Sequence, residues 1–136
     1  MEKRRIRSGG KRKTTKAINV SSQEKALLCA KIADNYKAQK LSVLSIGELC
    51  NFADYFVICS GQSTRQVQGI VDHIEEEMRK AGYRPLGIEG WKDGRWVLMD
   101  YGDVIVHVFH DPVREIYDLE SLWSDAPNLW ESESGQ

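Results

Sequence analysis

Hydrophobic and polar positions change period several times along the chain, and each change marks an element. Leu28, Ile32 and Tyr36, joined by Cys29 and Ala33, recur at three- and four-residue steps and predict one apolar stripe on a helix over about 22–39. Ser21-Ser22-Gln23-Glu24 just before it fits a capping box, in which a hydroxyl and a carboxylate three residues apart satisfy free amides at a helix start. The segment Leu41-Ser42-Val43-Leu44-Ser45-Ile46 shifts towards period two and predicts a strand. After a break near Gly47, the run Tyr55-Phe56-Val57-Ile58-Cys59 is apolar at every position. A strand covered on both faces belongs in the middle of a sheet. Ser60-Gly61-Gln62-Ser63 interrupts it. Val67, Ile70, Val71, Ile74 and Met78 then form the stripe of a second helix reaching about Ala81, with Gly82 as its stop.

The last third is extended. Residues 84–89 predict a short strand, 90–94 a turn and 95–100 a strand, and Tyr101-Gly102 makes a tight reversal into the continuous apolar run Val104-Ile105-Val106-His107-Val108-Phe109. Asp111-Pro112 supplies a cap and a first-turn proline for a short helix through Leu119. From Ser124 onward the chain is polar apart from Leu129 and Trp130. The order helix, two strands, helix, three strands, helix predicts an α/β fold with a mixed sheet of about five strands flanked by helices, because the last strands are joined too tightly to run parallel.

Composition narrows the class. With 136 residues, 41% hydrophobic and 29% charged, the chain fits one globular domain. No apolar run approaches the roughly 20 residues a membrane span needs, and none follows the N-terminus as a secretory signal would. Cys29, Cys50 and Cys59 are odd in number and form no C-x-x-C pair, which argues against a disulfide framework or a zinc ribbon and for a reducing compartment. The net charge of −1 conceals an asymmetry: residues 1–16 hold eight basic residues and one acid, a net of +7, while the other 120 hold 11 basic and 19 acidic residues, a net of −8. Such a block of like charge with Gly9-Gly10 inside predicts a disordered basic arm over 1–20, either a weak contact for nucleic-acid phosphates or a solubilising tail.

The candidate chemistry is thin. The turn Ser60-Gly61-Gln62-Ser63 stands between a buried strand and a helix, where amides favour an anion, but it carries neither phosphate-loop fingerprint. Asp100 and Asp103 flank the reversal instead of alternating along one strand face, which suits turn chemistry better than Mg²⁺ binding. His107, His110 and Asp111 have too few neighbours of the right kind for a metal, and His107 reads as a buried, hydrogen-bonded histidine. Ser63 and His73 lack a third partner. The expectation is no catalytic constellation, no cofactor and no metal.

The strand around Trp96 is different. Alternation puts Trp96, Leu98 and Asp100 on one face and Val97, Met99 and Tyr101 on the other. Three helices do not easily cover both faces of a five-stranded sheet, so one apolar face is either core or left for a partner, with Trp beside Asp suiting a hot spot rimmed by charge.

Longer signatures add a resemblance. The runs Ala53-Asp54-Tyr55-Phe56-Val57-Ile58-Cys59-Ser60-Gly61-Gln62-Ser63-Thr64-Arg65-Gln66-Val67 and Trp96-Val97-Leu98-Met99-Asp100-Tyr101-Gly102-Asp103-Val104-Ile105-Val106-His107-Val108-Phe109, with Glu89-Gly90 before the second and Arg114-Glu115-Ile116-Tyr117-Asp118-Leu119-Glu120-Ser121-Leu122-Trp123 after it, resemble the ribosomal silencing factor, or iojap-like, family. The match runs over about 22–127. The resemblance implies a nucleotidyltransferase-like fold without the catalytic acids, no enzymatic activity and usually a homodimer. It implies binding to the large ribosomal subunit through its fourteenth ribosomal protein, with steric blockade of the small subunit and damped translation when nutrients are short. The family's partner-binding positions fall on Trp96, Leu98 and Asp100. The expected layout is a basic arm over 1–20, the silencing-factor domain over 21–127 and a polar tail over 128–136. A bacterial cytoplasm ranks ahead of an organellar stroma or matrix. The arm and the segment Gly47-Glu48-Leu49-Cys50 depart from the family pattern. The alternative is a nucleotidyltransferase-like enzyme that uses the Gly61 turn with Asp100 or Asp103.

Overall fold

The two strands with uninterrupted apolar runs lie side by side at the centre of the sheet. In the computed structural model, which describes residues 15–130, these are β2 (Tyr55–Gly61) and β5 (Val104–His110). They pair in parallel with Tyr55 opposite Val104 and Gly61 opposite His110. β1 (Gln39–Ser45) adds antiparallel to β2, β4 (Trp96–Asp100) antiparallel to β5, and β3 (Gly87–Glu89) antiparallel to β4, giving the order β1-β2-β5-β4-β3. The mixed five-stranded α/β sheet is the one the pattern predicts.

Period two sorts the side chains onto two faces. Val57, Cys59, Val97, Met99, Val104, Val106 and Val108 face α1 (Thr15–Asn35) and α2 (Thr64–Lys80), where they meet Ala26, Cys29, Ala30, Ala33, Val67, Ile70, Val71, Ile74 and Met78. Phe56, Ile58, Ile105 and Phe109 face the other way. They pack with Leu44, Ile46, Cys50 and Ala53 under α3 (Asp111–Tyr117), α4 (Leu119–Leu122) and the neighbouring loops. Among the described residues, no helix is long and apolar enough to cross a membrane.

Four boundaries differ from the sequence reading. α1 begins at Thr15, so Ser21-Ser22-Gln23-Glu24 lies inside the helix, and residues 15–20, assigned above to the disordered arm, are helical. Ser22 is fully buried and its hydroxyl donates to Asp103, which explains a polar residue there without a cap. The rest of the arm, residues 1–14, lies outside the described residues. α1 also ends earlier than residue 39. Lys37 adopts φ 67° and the Ala38 amide reaches back to the Ala33 carbonyl at 3.0 Å, a C-terminal closure made without the glycine that usually signals it. At the end of α2 that signal holds: Gly82 has φ 98° and the Tyr83 amide returns to the Met78 carbonyl at 2.8 Å.

The third helix breaks at Asp118 (φ 48°) into α3 and α4. The tail is shorter than expected. Pro127 accepts the Ser45 amide at 2.9 Å, the Asn128 side chain accepts the Val43 amide at 3.1 Å, and Leu129 and Trp130 pack against the first core. Residues 127–130 therefore strap the β1 edge, as edge protection requires, and only 131–136 fall outside the described residues.

Candidate partner-binding face

Trp96 opens β4. The turn before it is tied to α2, with the Trp91 indole donating to Asp72 at 2.9 Å and Gln68 donating to the Trp91 carbonyl at 2.7 Å. Gly90 in that turn has φ 87°, and a Cβ there would sit 2.3 Å from the Trp96 carbonyl oxygen, so only glycine lets the hairpin close. β4 then pairs with β5 so that Trp96 stands opposite Phe109, Leu98 opposite His107 and Asp100 opposite Ile105.

Alternation places Trp96 and Leu98 on the second face, where both stay half-buried against its core. The Trp96 ring stacks on Phe109 at 4.9 Å between centroids and meets Tyr117 of α3 at 4.7 Å. Its indole N–H donates to His107 Nδ1 at 3.1 Å. His107 is 4% exposed, and Phe56 packs against its ring at 4.6 Å. Burial pushes its pKa down to about 3, so the imidazole is neutral. Because Nδ1 accepts, the proton sits on Nε2, and that N–H has no partner among the described residues. The buried, hydrogen-bonded histidine of the sequence reading is confirmed. A second buried donor, Trp123 Nε1, also lacks a partner among the described residues, and its ring packs on the same Phe56 at 5.6 Å.

Asp100, expected at the charged rim of this face, also has a structural task. Asp100 is 8% exposed and its carboxylate accepts the Gly102 amide at 2.8 Å within the reversal. Asp103 points elsewhere, accepting from Ser22 and, at 2.7 Å, from Lys25 on α1. Burial alone would raise its pKa, but the hydrogen bonds from Lys25 and Ser22 and the Lys25 charge leave it below the usual carboxylate range. Turn chemistry thus describes Asp100, whereas Asp103 docks α1 onto the sheet.

The register also separates the parts of the enzymatic alternative. Asp103 precedes Val104, which pairs with Tyr55, whereas Gly61 pairs with His110 at the other end of the same two strands. Six residues of strand hold them about 20 Å apart. Two amides of the Gly61 turn are moreover engaged by its own helix: the Gln62 amide donates to the Gln66 side chain at 2.6 Å and the Gln66 amide to Ser63 Oγ at 3.0 Å. Among the described residues no group of three or more His, Cys, Asp or Glu could hold a metal ion.

Three contributors were not legible in the pattern. Tyr117 covers one side of Trp96 while remaining 57% exposed, and α3 also exposes Ile116 (77%). Buried Arg114 binds Ser60 at 2.9 Å and pairs with Glu120 across the Asp118 break, pinning α3 and α4 to β2. An excess of apolar residues over what so short a helix can bury was the available signal at Ile116-Tyr117 and Leu122.

Comparison with known proteins agrees with the resemblance. A family model described as RsfS, ribosomal silencing factor during starvation, matches residues 19–136. The chain is 40% identical over 110 residues to the ribosomal silencing factor RsfS of Halalkalibacterium halodurans, covering 81% of this chain and 94% of that protein. A crystal structure of a Chromobacterium violaceum protein superposes with a TM-score of 0.74 at 33% identity, over 76% of this chain and 86% of that one. The mouse protein named mitochondrial assembly of ribosomal large subunit protein 1 is 31% identical over 90 residues, 64% of this chain and 40% of the mouse protein.

Proposed function

The chain belongs to the ribosomal silencing factor family, whose members are named as ribosome-associated regulators and not for a catalytic activity, and on that premise we propose that it represses translation by occupying the large ribosomal subunit. In this reading the contact is the subunit's fourteenth ribosomal protein, and the bound molecule sterically keeps the small subunit from joining when nutrients are short. The observation that carries it is the half-buried Trp96 and Leu98 on a face that α3 and α4 roof only in part. A tryptophan held in place yet partly open to solvent is the side chain most suited to anchor a partner. The large-subunit assignment draws support from the mouse relative's name. Asp100 serves this reading by shaping the end of β4 and not by touching the partner. The free protein is a cytoplasmic homodimer in the same reading, which light scattering checks, and the basic residues of 3–16 add a weak phosphate contact that fades as salt rises.

The test is co-sedimentation of the purified protein with isolated large subunits, followed by addition of small subunits. The protein should pellet with large subunits and reduce the yield of joined ribosomes. Pelleting without any effect on joining would sink the steric mechanism, and failure to pellet would sink the binding site.

A further inference from the structure

We propose that His107 is a positioning residue for Trp96: by accepting the indole N–H it turns the polar edge of the ring inward, so that the partner meets only carbon at that point. This rests on the reading of Trp96 as the partner contact. His107 is the one polar side chain in the run Val104 to Phe109, and it lies on the second face diagonal to Trp96 in the β4–β5 ladder. Such diagonal neighbours are within reach of aromatic rings.

The arrangement fixes both rings. Phe56 meets the imidazole edge-on at 4.6 Å and Phe109 lies parallel to it at 6.3 Å, so the ring has no free rotation in a site that leaves it 4% exposed. Phe109 also stacks on the indole at 4.9 Å, and Tyr117 packs against it, tilted, at 4.7 Å. An indole on a half-open sheet surface has two choices for its N–H, water or a protein acceptor. Here the acceptor is His107 Nδ1 at 3.1 Å. With the N–H satisfied inside the protein, a partner hydrogen-bond acceptor has nothing to bind at Trp96. The partner chemistry that fits is an apolar pocket. If Nδ1 were replaced by carbon, the indole would be left with an unpaired donor, and rotating the ring outward to reach water would spoil its presentation.

A double-mutant cycle tests this, read by co-sedimentation with isolated large subunits and by the indole N–H resonance of Trp96 in ¹⁵N-labelled protein. His107→Phe keeps a flat ring and removes the acceptor, and should weaken binding about tenfold. In a Trp96→Phe background, which has no indole N–H, the same change should cost less than about twofold. His107→Asn puts an acceptor oxygen near the position of Nδ1 while bringing a buried amide NH2 with it, so it should bind better than His107→Phe and retain a slowly exchanging Trp96 indole proton. Should His107→Phe not fold, the Asn variant and the exchange of the indole proton carry the test. Parent-like binding by His107→Phe overturns the proposal, as does an equal loss in both backgrounds or a fast-exchanging indole proton in the parent. If Trp96→Ala binds like the parent, the contact reading fails by itself and takes the binding role of His107 with it, while the exchange measurement still decides whether His107 holds the ring.

Discussion

The two faces of the sheet are built from one set of strands and differ in nearly everything else. On the α1–α2 face, small and β-branched side chains interlock and the core is sealed. Burial there pushes the Cys29 and Cys59 thiols up to about 12, which makes them inert packing groups and not nucleophiles. On the other face stand Phe56, Trp96, His107, Phe109, Tyr117 and Trp123, roofed by two helices of seven and four residues. Two indole or imidazole N–H groups are unpartnered among the described residues on that side, against one hydroxyl, that of Tyr101, on the other. One face concentrates stability and the other concentrates surface that a second molecule can use. In the proposed reading, a thin roof over large aromatic groups keeps a partner site available in so small a domain.

The strongest way to break this contrast is to empty the sealed side. Ile74 is fully buried between α2 and the sheet. Ile74→Ala should cost about 2–5 kcal/mol and lower the melting temperature by about 10 °C or more. The remaining folded molecules should bind large subunits normally, and a binding loss out of proportion to unfolding would show that the two faces are not separable. Trp96→Ala is the mirror experiment. Binding should fall about thirtyfold, near 2 kcal/mol, while melting falls less than half as far as for Ile74→Ala. The melting temperature will not stay untouched, because the indole rests on Phe109 and Tyr117 and holds a hydrogen bond to His107.

This contrast was half legible in the sequence. Continuous apolar runs fixed β2 and β5 as central strands, the Val67–Met78 stripe and Gly82 fixed α2, and period two along β4 placed Trp96 and Leu98 together. Those are local signals that a strand or helix carries alone. What escaped was decided between distant segments. Ser22 stands inside what reads as a capping box, and its meeting with Asp103, 81 positions away, explains its place within α1. Asn128 looks like a tail residue until it accepts the Val43 amide, and Lys37 and Asp118 end helices in a left-handed conformation without glycine. At the site, the bond between Trp96 and His107 and the ring of Tyr117 belong to three elements at once, so no single-segment pattern contains them.

Acid sharpens the comparison from the other side. His107 has an ordinary value of 6.5 and about 3 when folded. The unfolded chain therefore binds a proton the folded one refuses, and stability is lost as pH falls from 6.5 towards 3. The loss should reach about 1 kcal/mol between pH 6.5 and 5.5, and His107→Asn should flatten that slope. Asp103 acts on the α1 side in a separate window. Its folded pKa is depressed from 3.8, so the stability it contributes is present above that value and is lost only below it, as pH falls through the lower folded pKa. Denaturation midpoints measured at half-unit steps from pH 7 to pH 3 separate the two, and a flat response down to pH 4.5 would contradict the burial assigned to His107.

The smallest expected effect is also the most discriminating for the edge of the recognition face. Asp100 shares that face by alternation, yet its carboxylate accepts the Gly102 amide at 2.8 Å inside the reversal. Asp100→Asn removes the charge and keeps an oxygen able to accept the same amide, so melting should shift by no more than a few degrees and binding by less than about threefold. Asp100→Leu removes the acceptor as well and should cost about 1–2 kcal/mol by leaving the Gly102 amide unpaired in a buried turn. The order of the two variants carries the argument. If the partner reads the charge, Asn and Leu should lose binding equally while Asn melts like the parent. If the carboxylate belongs to the turn, binding should follow folding and only Leu should suffer. An isosteric amide that abolished co-sedimentation without touching the melting curve would move Asp100 back to the partner and extend the contact beyond Trp96 and Leu98.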